Sequence, residues 1–181
     1  TLDFNLGKVA LYPWATPALD FSSNMIYSES IIKIRDMLDT KEFINFLKKK
    51  DYKFDLYEHK PLFTVEESRQ LRGKIKGAHS KNLFLKNKKN NFFLISCMEY
   101  DEINLKKISK NLNLGNISFA KEEYLVKYLG IRPGSVSPFA LLNDKGNVVN
   151  FFMEKKLYES KLVNFHPLLN NATITMPTNK F

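Results

Sequence analysis

The amino-acid sequence predicts an α/β domain of the α+β type, with a mixed, mostly antiparallel sheet flanked by helices. Apolar residues make up 44% of the 181 residues and aromatic residues 13%, which is typical of a globular chain and unlike a disordered one. A chain of this length is long enough to bury one hydrophobic core. Stretches with helical spacing and stretches with strand-like alternation intermix without a regular strand-helix-strand period, which favours the mixed sheet.

The first part of the chain is predicted to be an extension of the domain. It contains two of the prolines and the single tryptophan, and no apolar period is sustained there. We therefore expect an extension or linker over residues 1–39 and one domain over residues 40–181. Apolar spacing over residues 28–50 predicts two amphipathic helices, the second with Asp39 or Thr40 as its N-cap.

Apolar runs bounded by polar residues predict the strands of the sheet. These runs lie at residues 52–57, 82–85, 92–97, 148–152, 162–165 and 172–175. The polar residues 86–91 between the second and third runs predict a hairpin with a strongly basic tip. Gly115 and Gly130 are predicted to stop two of the helices. The helices are predicted over residues 104–112 and 121–128, and a capping box at residues 64–67 predicts the start of a short one.

The charge balance favours a polyanionic partner. Lysine and arginine number 28 against 19 aspartate and glutamate, which gives a formal charge of +9 at pH 7. Such an excess attracts nucleic acid or an anionic surface. The alternative is that the lysines serve only solubility.

Cysteine and histidine usage argues against redox, metal and cofactor chemistry. The single cysteine, Cys97, cannot form an intrachain disulfide and fits a reducing compartment, so a cytoplasmic location is expected. It lies in a predicted core strand, where an inert thiol is expected. His59, His79 and His166 are scattered along the chain, so no metal is expected. No dinucleotide fingerprint appears either, and no cofactor is expected. No run approaches 18 apolar residues, so no membrane span is expected.

Three polar clusters are candidates for a functional site. Lys81, which follows a glycine-bounded turn, is either a solvated residue of an edge strand or a charge in a cleft. Gly134 and Pro138 lie in an irregular segment where the backbone can approach a ligand, although an ordinary loop has the same composition. His166 ends a predicted strand and is, on its own, more often structural than catalytic.

Together and in this order, the clusters resemble the YbaK/ProX family of tRNA-editing deacylases over about residues 40–178. The matching segments are Glu58-His-Lys-Pro-Leu-Phe-Thr64 with Glu66 and Glu67, Lys81-Asn-Leu-Phe-Leu85, Gly134-Ser-Val-Ser-Pro138 with Asn143 and Asp144, and Phe165-His-Pro-Leu168 with Asn170 and Thr173. Within the family the segments look like the branch that deacylates alanyl-tRNA(Pro), which also occurs fused to prolyl-tRNA synthetases.

The resemblance implies an ester hydrolase that acts on tRNA(Pro) carrying a wrong amino acid. Alanine is smaller than proline, so a proline-activating site cannot exclude it by size, and a second hydrolytic site is needed. Lys81 would hold the aminoacyl ester or the neighbouring phosphate. Gly134 would present backbone N–H groups to the carbonyl as negative charge develops. His166 would shape the pocket and orient water.

Further residues follow from the same resemblance. Substrate-binding positions would be Phe63, Thr64, Asn82, Ser135, Pro138, Leu141 and Leu168. The acceptor stem would meet Lys74, Lys76, Lys86, Lys88 and Lys89. A prolyl-tRNA synthetase, fused or separate, is the implied partner. Two alternatives stay open: a cysteinyl-tRNA(Pro) deacylase, and a catalytically inactive module that binds tRNA or the synthetase.

Overall fold

A computed structural model describes residues 37–61 and 75–181. The helix predicted between residue 28 and Asp39, the capping box at residues 64–67, and Phe63, Thr64 and Lys74 lie outside or largely outside these ranges. The strands are β1 Asp55–Glu58, β2 Ala78–Asn87, β3 Phe92–Met98, β4 Ile117–Phe119, β5 Val149–Met153, β6 Leu162–Phe165 and β7 Ala172–Pro177. The α-helices are α1 Thr40–Lys49, α2 Leu105–Asn111, α3 Glu122–Tyr124 and α4 Lys155–Tyr158.

The strands form one seven-stranded mixed sheet. Its order is β1-β7-β6-β2-β3-β5, and β4 pairs with β2 outside this path. Four of the six pairings are antiparallel, and only β2 with β6 and β3 with β5 are parallel. The predicted mixed, mostly antiparallel sheet is thus confirmed.

Strand β2 lies in the middle of the sheet and changes partner along its length. Its first residues pair with β6, with Ala78 opposite Val163, and its last residues pair with β4. On its other side β3 runs antiparallel to it, with Ser80 opposite Met98. The tip residues 88–91 turn the hairpin that the sequence predicted.

Two hydrophobic clusters cover the two faces of the sheet. The larger cluster includes Phe84 of β2 and packs α1 and the segment 125–143 against one face. The smaller cluster includes Leu83 and Leu85 and packs α2 against the other face. Because alternate residues of a strand point to opposite faces, β2 contributes to both cores and sets the position of groups on either side.

Helix α1 begins where the sequence predicted. The Asp39 carboxylate accepts the N–H of Glu42, and the Glu42 carboxylate accepts the N–H of Asp39, which is a capping box. Phe43 and Leu47 of α1 are buried in the larger cluster. The Thr40 hydroxyl also donates to the carbonyl of Pro167, which ties the helix start to the segment after β6.

The prediction of a helix over residues 121–128 needs a small correction. The segment begins as the single turn α3 and continues as a π-helical turn, Leu125–Leu129, which Gly130 ends in the left-handed conformation with φ +65°. A 3₁₀ helix, Pro138–Asn143, follows the next loop. The short strand β4 was not predicted. No helix among the described residues is long and apolar enough to cross a bilayer.

Candidate active site

The candidate site is centred on the irregular segment 131–137, which joins the π-helical turn to the 3₁₀ helix. Gly134 has φ +85°, a conformation that residues with a Cβ rarely adopt. A Cβ at this position would lie 3.6 Å from Nδ2 of Asn170, so the loop faces the segment after β6. Within the described ranges, no hydrogen bond uses the N–H of Gly134 or Val136 as donor. These two N–H groups can therefore donate to a ligand.

Asn82 of β2 fixes this loop to the sheet. Its Nδ2 donates to the carbonyl oxygen of Val136 at 3.0 Å. Its Oδ1 accepts from the hydroxyl of Ser96 on β3 at 2.6 Å. Ser96 is fully buried, so the amide of Asn82 is held by the core on one side and holds the loop on the other.

A second asparagine supports the far end of the same loop. Nδ2 of the buried Asn143 donates to the carbonyl of Leu129 at 3.0 Å, and its Oδ1 accepts from the N–H of Leu38 at 2.7 Å. Ser137 caps the 3₁₀ helix, since its hydroxyl accepts from the N–H of Phe139 at 3.3 Å. Hydrogen bonds therefore hold the segments on both sides of the loop.

His166 lies directly after β6. Its Nδ1–H donates to the carbonyl of Ala172 at 2.9 Å, so in the neutral ring Nε2 carries the lone pair. Burial lowers the pKa of His166 below its usual range, and nearby His59 adds to this, while the bond to Ala172 and the charge of Glu99 oppose it. The structure thus favours a neutral imidazole with Nε2 ready to accept a proton or a hydrogen bond.

The structure adds His59 to the candidate site residues. Its ring lies edge-on to that of His166, with centroids 6.2 Å apart. Its Nδ1–H donates to the carbonyl of Lys60 at 2.8 Å, and its Nε2 accepts from the hydroxyl of Thr173 at 3.0 Å. Both His59 and Thr173 lie in the segments that matched the family, so that match was the signal available in the sequence.

Lys81 does not lie on the same face of the sheet as Asn82. The two are neighbours on β2, and Lys81 shares its face with Leu83 and Leu85 of the smaller cluster. Its ammonium group donates to the carbonyl of Asp101. The structure therefore does not bring Lys81 to the face of β2 whose Asn82 holds the Gly134 loop. It also shows that β2 begins at Ala78, three residues before Lys81.

The surroundings of Lys81 form a polar cluster at the ends of β3 and β5. Oδ2 of Asp101 accepts from Nζ of Lys156 at 3.1 Å. Oε2 of the fully buried Glu154 accepts from the N–H of Met98 at 2.8 Å. Burial raises the pKa of Glu154, whereas the Glu154 carboxyl and Lys156 lower the pKa of Asp101 against the opposing effect of burial.

Cys97 lies beside this cluster and is fully buried. Burial raises its pKa to about 12, with nearby Lys81 acting in the opposite direction. A thiol with this pKa is protonated at neutral pH and is a poor nucleophile.

The remaining predicted pocket residues lie around the loop and in the core. Ser135, Pro138 and Leu168 are buried, and Leu141 is half-buried against the larger cluster. Leu168 has φ +71°, an unusual conformation for a branched side chain. Leu141 and Leu168 thus belong to the larger cluster, while Ser135 is part of the loop and Pro138 begins the 3₁₀ helix that follows it.

The predicted tRNA-binding lysines differ in their surroundings. Lys76, Lys88 and Lys89 are exposed. Lys86 is half-buried, and its ammonium donates to Oδ1 of Asn90 at 3.2 Å. The three lysines of the hairpin share one end of the molecule.

In the part of the chain that the structure describes, no group of three or more histidine, cysteine or carboxylate residues is placed to hold a metal ion. The described groups of the candidate site are backbone N–H groups, imidazoles and amides. Such groups can stabilise an oxyanion and orient a water molecule.

Comparison with known proteins gives a consistent family. Residues 59–181 match the model of the aminoacyl-tRNA editing domain family. A prolyl-tRNA synthetase associated domain-containing protein 1 from Xenopus laevis is 37% identical over 146 residues, which cover 78% of this chain and 86% of that protein. The prolyl-tRNA editing protein ProX from Acetoanaerobium sticklandii is 34% identical over 124 residues, which cover 68% of this chain and 76% of that protein.

Solved structures agree on the fold. The hypothetical protein APE2540 superposes with a TM-score of 0.62 at 18% identity, covering 78% of this chain and 91% of that one. A candidate trans-editing enzyme for prolyl-tRNA synthetase superposes with a TM-score of 0.58 at 16% identity, covering 86% and 90%.

Proposed function

The chain belongs to the aminoacyl-tRNA editing domain family, and from this premise we propose that it is a hydrolase that removes alanine from mischarged tRNA(Pro). The names of its relatives support the connection with prolyl-tRNA. The observation that carries the proposal is the Gly134 loop, a turn with backbone N–H groups free to bind the oxygen of an ester carbonyl.

In the proposed reaction, water attacks the ester carbonyl and forms a tetrahedral intermediate whose oxyanion accepts hydrogen bonds from the N–H groups of the loop. The bond to the ribose oxygen then breaks, alanine leaves, and the ribose oxygen takes up the proton that the attacking water gave up. Nε2 of His166 accepts a hydrogen bond from the attacking water or from the adjacent ribose hydroxyl. Asn82 acts through the loop and is a positioning residue, because its Nδ2 donates to Val136.

We assign Lys81 to the phosphate of the terminal nucleotide. The only hydrogen-bond partner of its ammonium in the described ranges is the carbonyl of Asp101, so the ammonium can exchange this acceptor for a phosphate oxygen. Since Lys81 lies at the opposite face of β2 from Asn82, the proposal puts this one phosphate at the end of the sheet and the aminoacyl group on the side of Asn82.

The preference for alanine is a matter of pocket size. An editing pocket must admit alanine and reject the larger proline, which a rigid wall does by steric exclusion. Ser135, Pro138, Leu141 and Leu168, with Phe63 and Thr64, are the proposed wall. A pocket of this kind also decides between alanine and cysteine, the second candidate amino acid.

Electrostatic attraction supplies the affinity for the tRNA. The formal charge of +9 favours phosphate contacts, which position the nucleic acid without reading its sequence. Lys74, Lys76, Lys86, Lys88 and Lys89 are proposed contacts of the acceptor stem. A prolyl-tRNA synthetase, fused or separate, is the proposed source of the mischarged substrate.

The test is hydrolysis of alanyl-, cysteinyl- and prolyl-tRNA(Pro) by the protein, by Lys81→Ala and by Lys155→Ala. Lys155 lies on α4 and its ammonium is 3.9 Å from Glu159, so this variant controls for the loss of one surface charge. We expect loss of alanine only, slowed at least tenfold by Lys81→Ala and unaffected by Lys155→Ala. Loss of cysteine instead would assign the chain to the other substrate, and loss of neither, with tRNA still bound, would make it a binding module.

A further inference from the structure

Two tyrosines near the hairpin tip form an ordered aromatic surface. Tyr124 ends α3 and Tyr128 lies one turn later, and their rings are almost parallel, with an angle of 6° and centroids 6.2 Å apart. Both rings also contact Phe92, at centroid distances of 4.9 Å. Because Phe92 is buried in the larger cluster, the core fixes the orientation of both tyrosines, which are themselves half-buried.

The ammonium group of a lysine lies over the ring of each tyrosine. The ammonium of Lys86 lies 5.2 Å from the centroid of Tyr124, and that of Lys127 lies 5.1 Å from the centroid of Tyr128. Both distances are within the range of a cation–π contact. Among the described residues neither lysine forms a salt bridge. We call these four residues, Lys86, Tyr124, Lys127 and Tyr128, the tyrosine platform.

The charge around the tyrosine platform is positive. Lys88, Lys89 and Lys121 are exposed beside it, whereas Glu122 and Glu123 are the acidic residues of α3. Together with the two lysines of the platform this gives five positive and two negative charges, a net charge of +3. A polyanion is therefore attracted to this surface.

The distance from the Gly134 loop to the tyrosine platform can be spanned by a short single strand of nucleic acid. Asn82, which holds the loop, and Lys86 are four residues apart on β2, a distance of about 13 Å at about 3.3 Å per residue. A stacked nucleic acid strand rises about 3.4 Å per nucleotide, so the platform lies about four nucleotides from the loop.

We propose that the tyrosine platform binds the last nucleotides of the acceptor end of tRNA, with bases stacked on Tyr124 and Tyr128 and phosphates paired with Lys86 and Lys127. This inference rests on the proposed function, because it assumes that the reacting ester lies at the Gly134 loop. Stacking on aromatic rings combined with lysine contacts to the backbone is the mode by which proteins hold single strands without reading their sequence.

The residue types favour RNA over a membrane surface. Each ring lies within about 5 Å of an ammonium group that has no carboxylate partner in the described ranges, so a phosphate can bind the ammonium while a base replaces it on the ring. Insertion into a bilayer would instead require an apolar face free of such charges.

The test compares a full-length substrate with one too short to reach the platform. The variants are Tyr124→Leu with Tyr128→Leu, which keep apolar contact with Phe92, and the matched pair Tyr124→Phe with Tyr128→Phe, which keeps the rings. Tyr158→Leu is the control, since this tyrosine is 67% exposed on α4. Unfolding curves establish that each variant is folded.

With alanyl-tRNA(Pro), the leucine pair is expected to raise KM about 5- to 100-fold and to leave kcat unchanged, which corresponds to the loss of stacking of one base or two. With an alanyl ester of adenosine, all variants are expected to equal the wild-type protein. Lys127→Gln is expected to reduce the slope of log KM against log salt by about one. The phenylalanine pair and Tyr158→Leu are expected to keep the wild-type KM.

Fluorescence provides a readout that is independent of catalysis. With 2-aminopurine placed four nucleotides from the 3′ end of uncharged tRNA, stacking is expected to change the emission on binding to the wild-type protein and to the phenylalanine pair, but not to the leucine pair. An unchanged KM and an unchanged emission in the leucine pair would overturn the inference while leaving the deacylase proposal intact. A wild-type protein that hydrolyses neither substrate would overturn the deacylase proposal, and the fluorescence experiment would still decide about the platform.

Discussion

Replacement of Asn82 by alanine tests whether the sheet holds the Gly134 loop. The change removes the donor to Val136 and the acceptor for the buried hydroxyl of Ser96. Each of the two groups left without a partner costs about 1–3 kcal/mol, so the free energy of unfolding should fall by about 2–6 kcal/mol. At about 2–4 °C per kcal/mol for a protein of this size, the melting temperature should fall by about 4–24 °C.

The matched control is Ser96→Ala, which removes one of the two bonds and leaves the bond from Asn82 to Val136. It leaves one group, Oδ1 of Asn82, without a partner, so it should cost about 1–3 kcal/mol and keep deacylation near the wild-type rate. Asn82→Ala should lower kcat by about 100-fold at a temperature where the variant is folded, because small displacements of a catalytic group have effects of that size. Denaturant unfolding and single-turnover deacylation measure the two quantities. Equal losses of activity in both variants, or a stability change in Asn82→Ala below about 0.5 kcal/mol, would refute this role of Asn82.

Four further outcomes are expected. Gly134→Ala should lower the free energy of unfolding by about 1–2 kcal/mol because of the positive φ at this position, while the added Cβ, 3.6 Å from Asn170, makes no clash. It should lower kcat more than it raises KM, and a wild-type kcat would argue against the loop as the oxyanion site. Lys81→Met should lower kcat/KM for alanyl-tRNA(Pro) at least tenfold while Lys81→Arg retains more, and equal rates in all three proteins would leave Lys81 with a structural role only. Because burial lowers the pKa of His166, the deacylation rate should stay level as the pH falls to 6.5 and decline only below it. This decline should vanish in His166→Gln when both rates are corrected for spontaneous ester hydrolysis. Because burial raises the pKa of Glu154, folding takes up protons, so stability should fall as the pH rises above 4.5, and Glu154→Gln should unfold at higher denaturant than wild type at pH 8.

The strands and helices of the domain could be predicted because local patterns determine them. The hairpin β2–β3 is bounded by polar residues, α1 begins at its capping box, and Gly130 ends the π-helical turn. Strand β4 was missed because three residues, of which Ser118 and Phe119 are exposed, give no alternating burial pattern. Its formation depends on pairing with the end of β2, which is a tertiary contact.

The candidate site could be predicted only through the resemblance to a family. Asn143 and Ser96 are polar residues that hold other site residues in place, and no local pattern distinguishes such residues from others of their type. His59 lies in a segment that matches the family, but the sequence gives no sign that it is near His166, because this proximity arises from the pairing of β1 with β7 and of β7 with β6. Side chains brought together by such pairings are far apart in sequence.

In contrast, the sequence alone predicts that Lys81 and Asn82 lie on opposite faces of the sheet. Adjacent residues of a strand point to opposite faces, so two neighbours inside β2 cannot both lie on the face that holds the Gly134 loop. A substrate that meets both must have its terminal phosphate at the end of the sheet, on the side of Lys81, while its ester and its preceding nucleotides lie on the side of Asn82 and the tyrosine platform. The polar cluster of Asp101 and Glu154 is then near this phosphate, so Glu154→Gln, which keeps an acceptor for Met98, should alter KM rather than kcat if it affects the reaction at all.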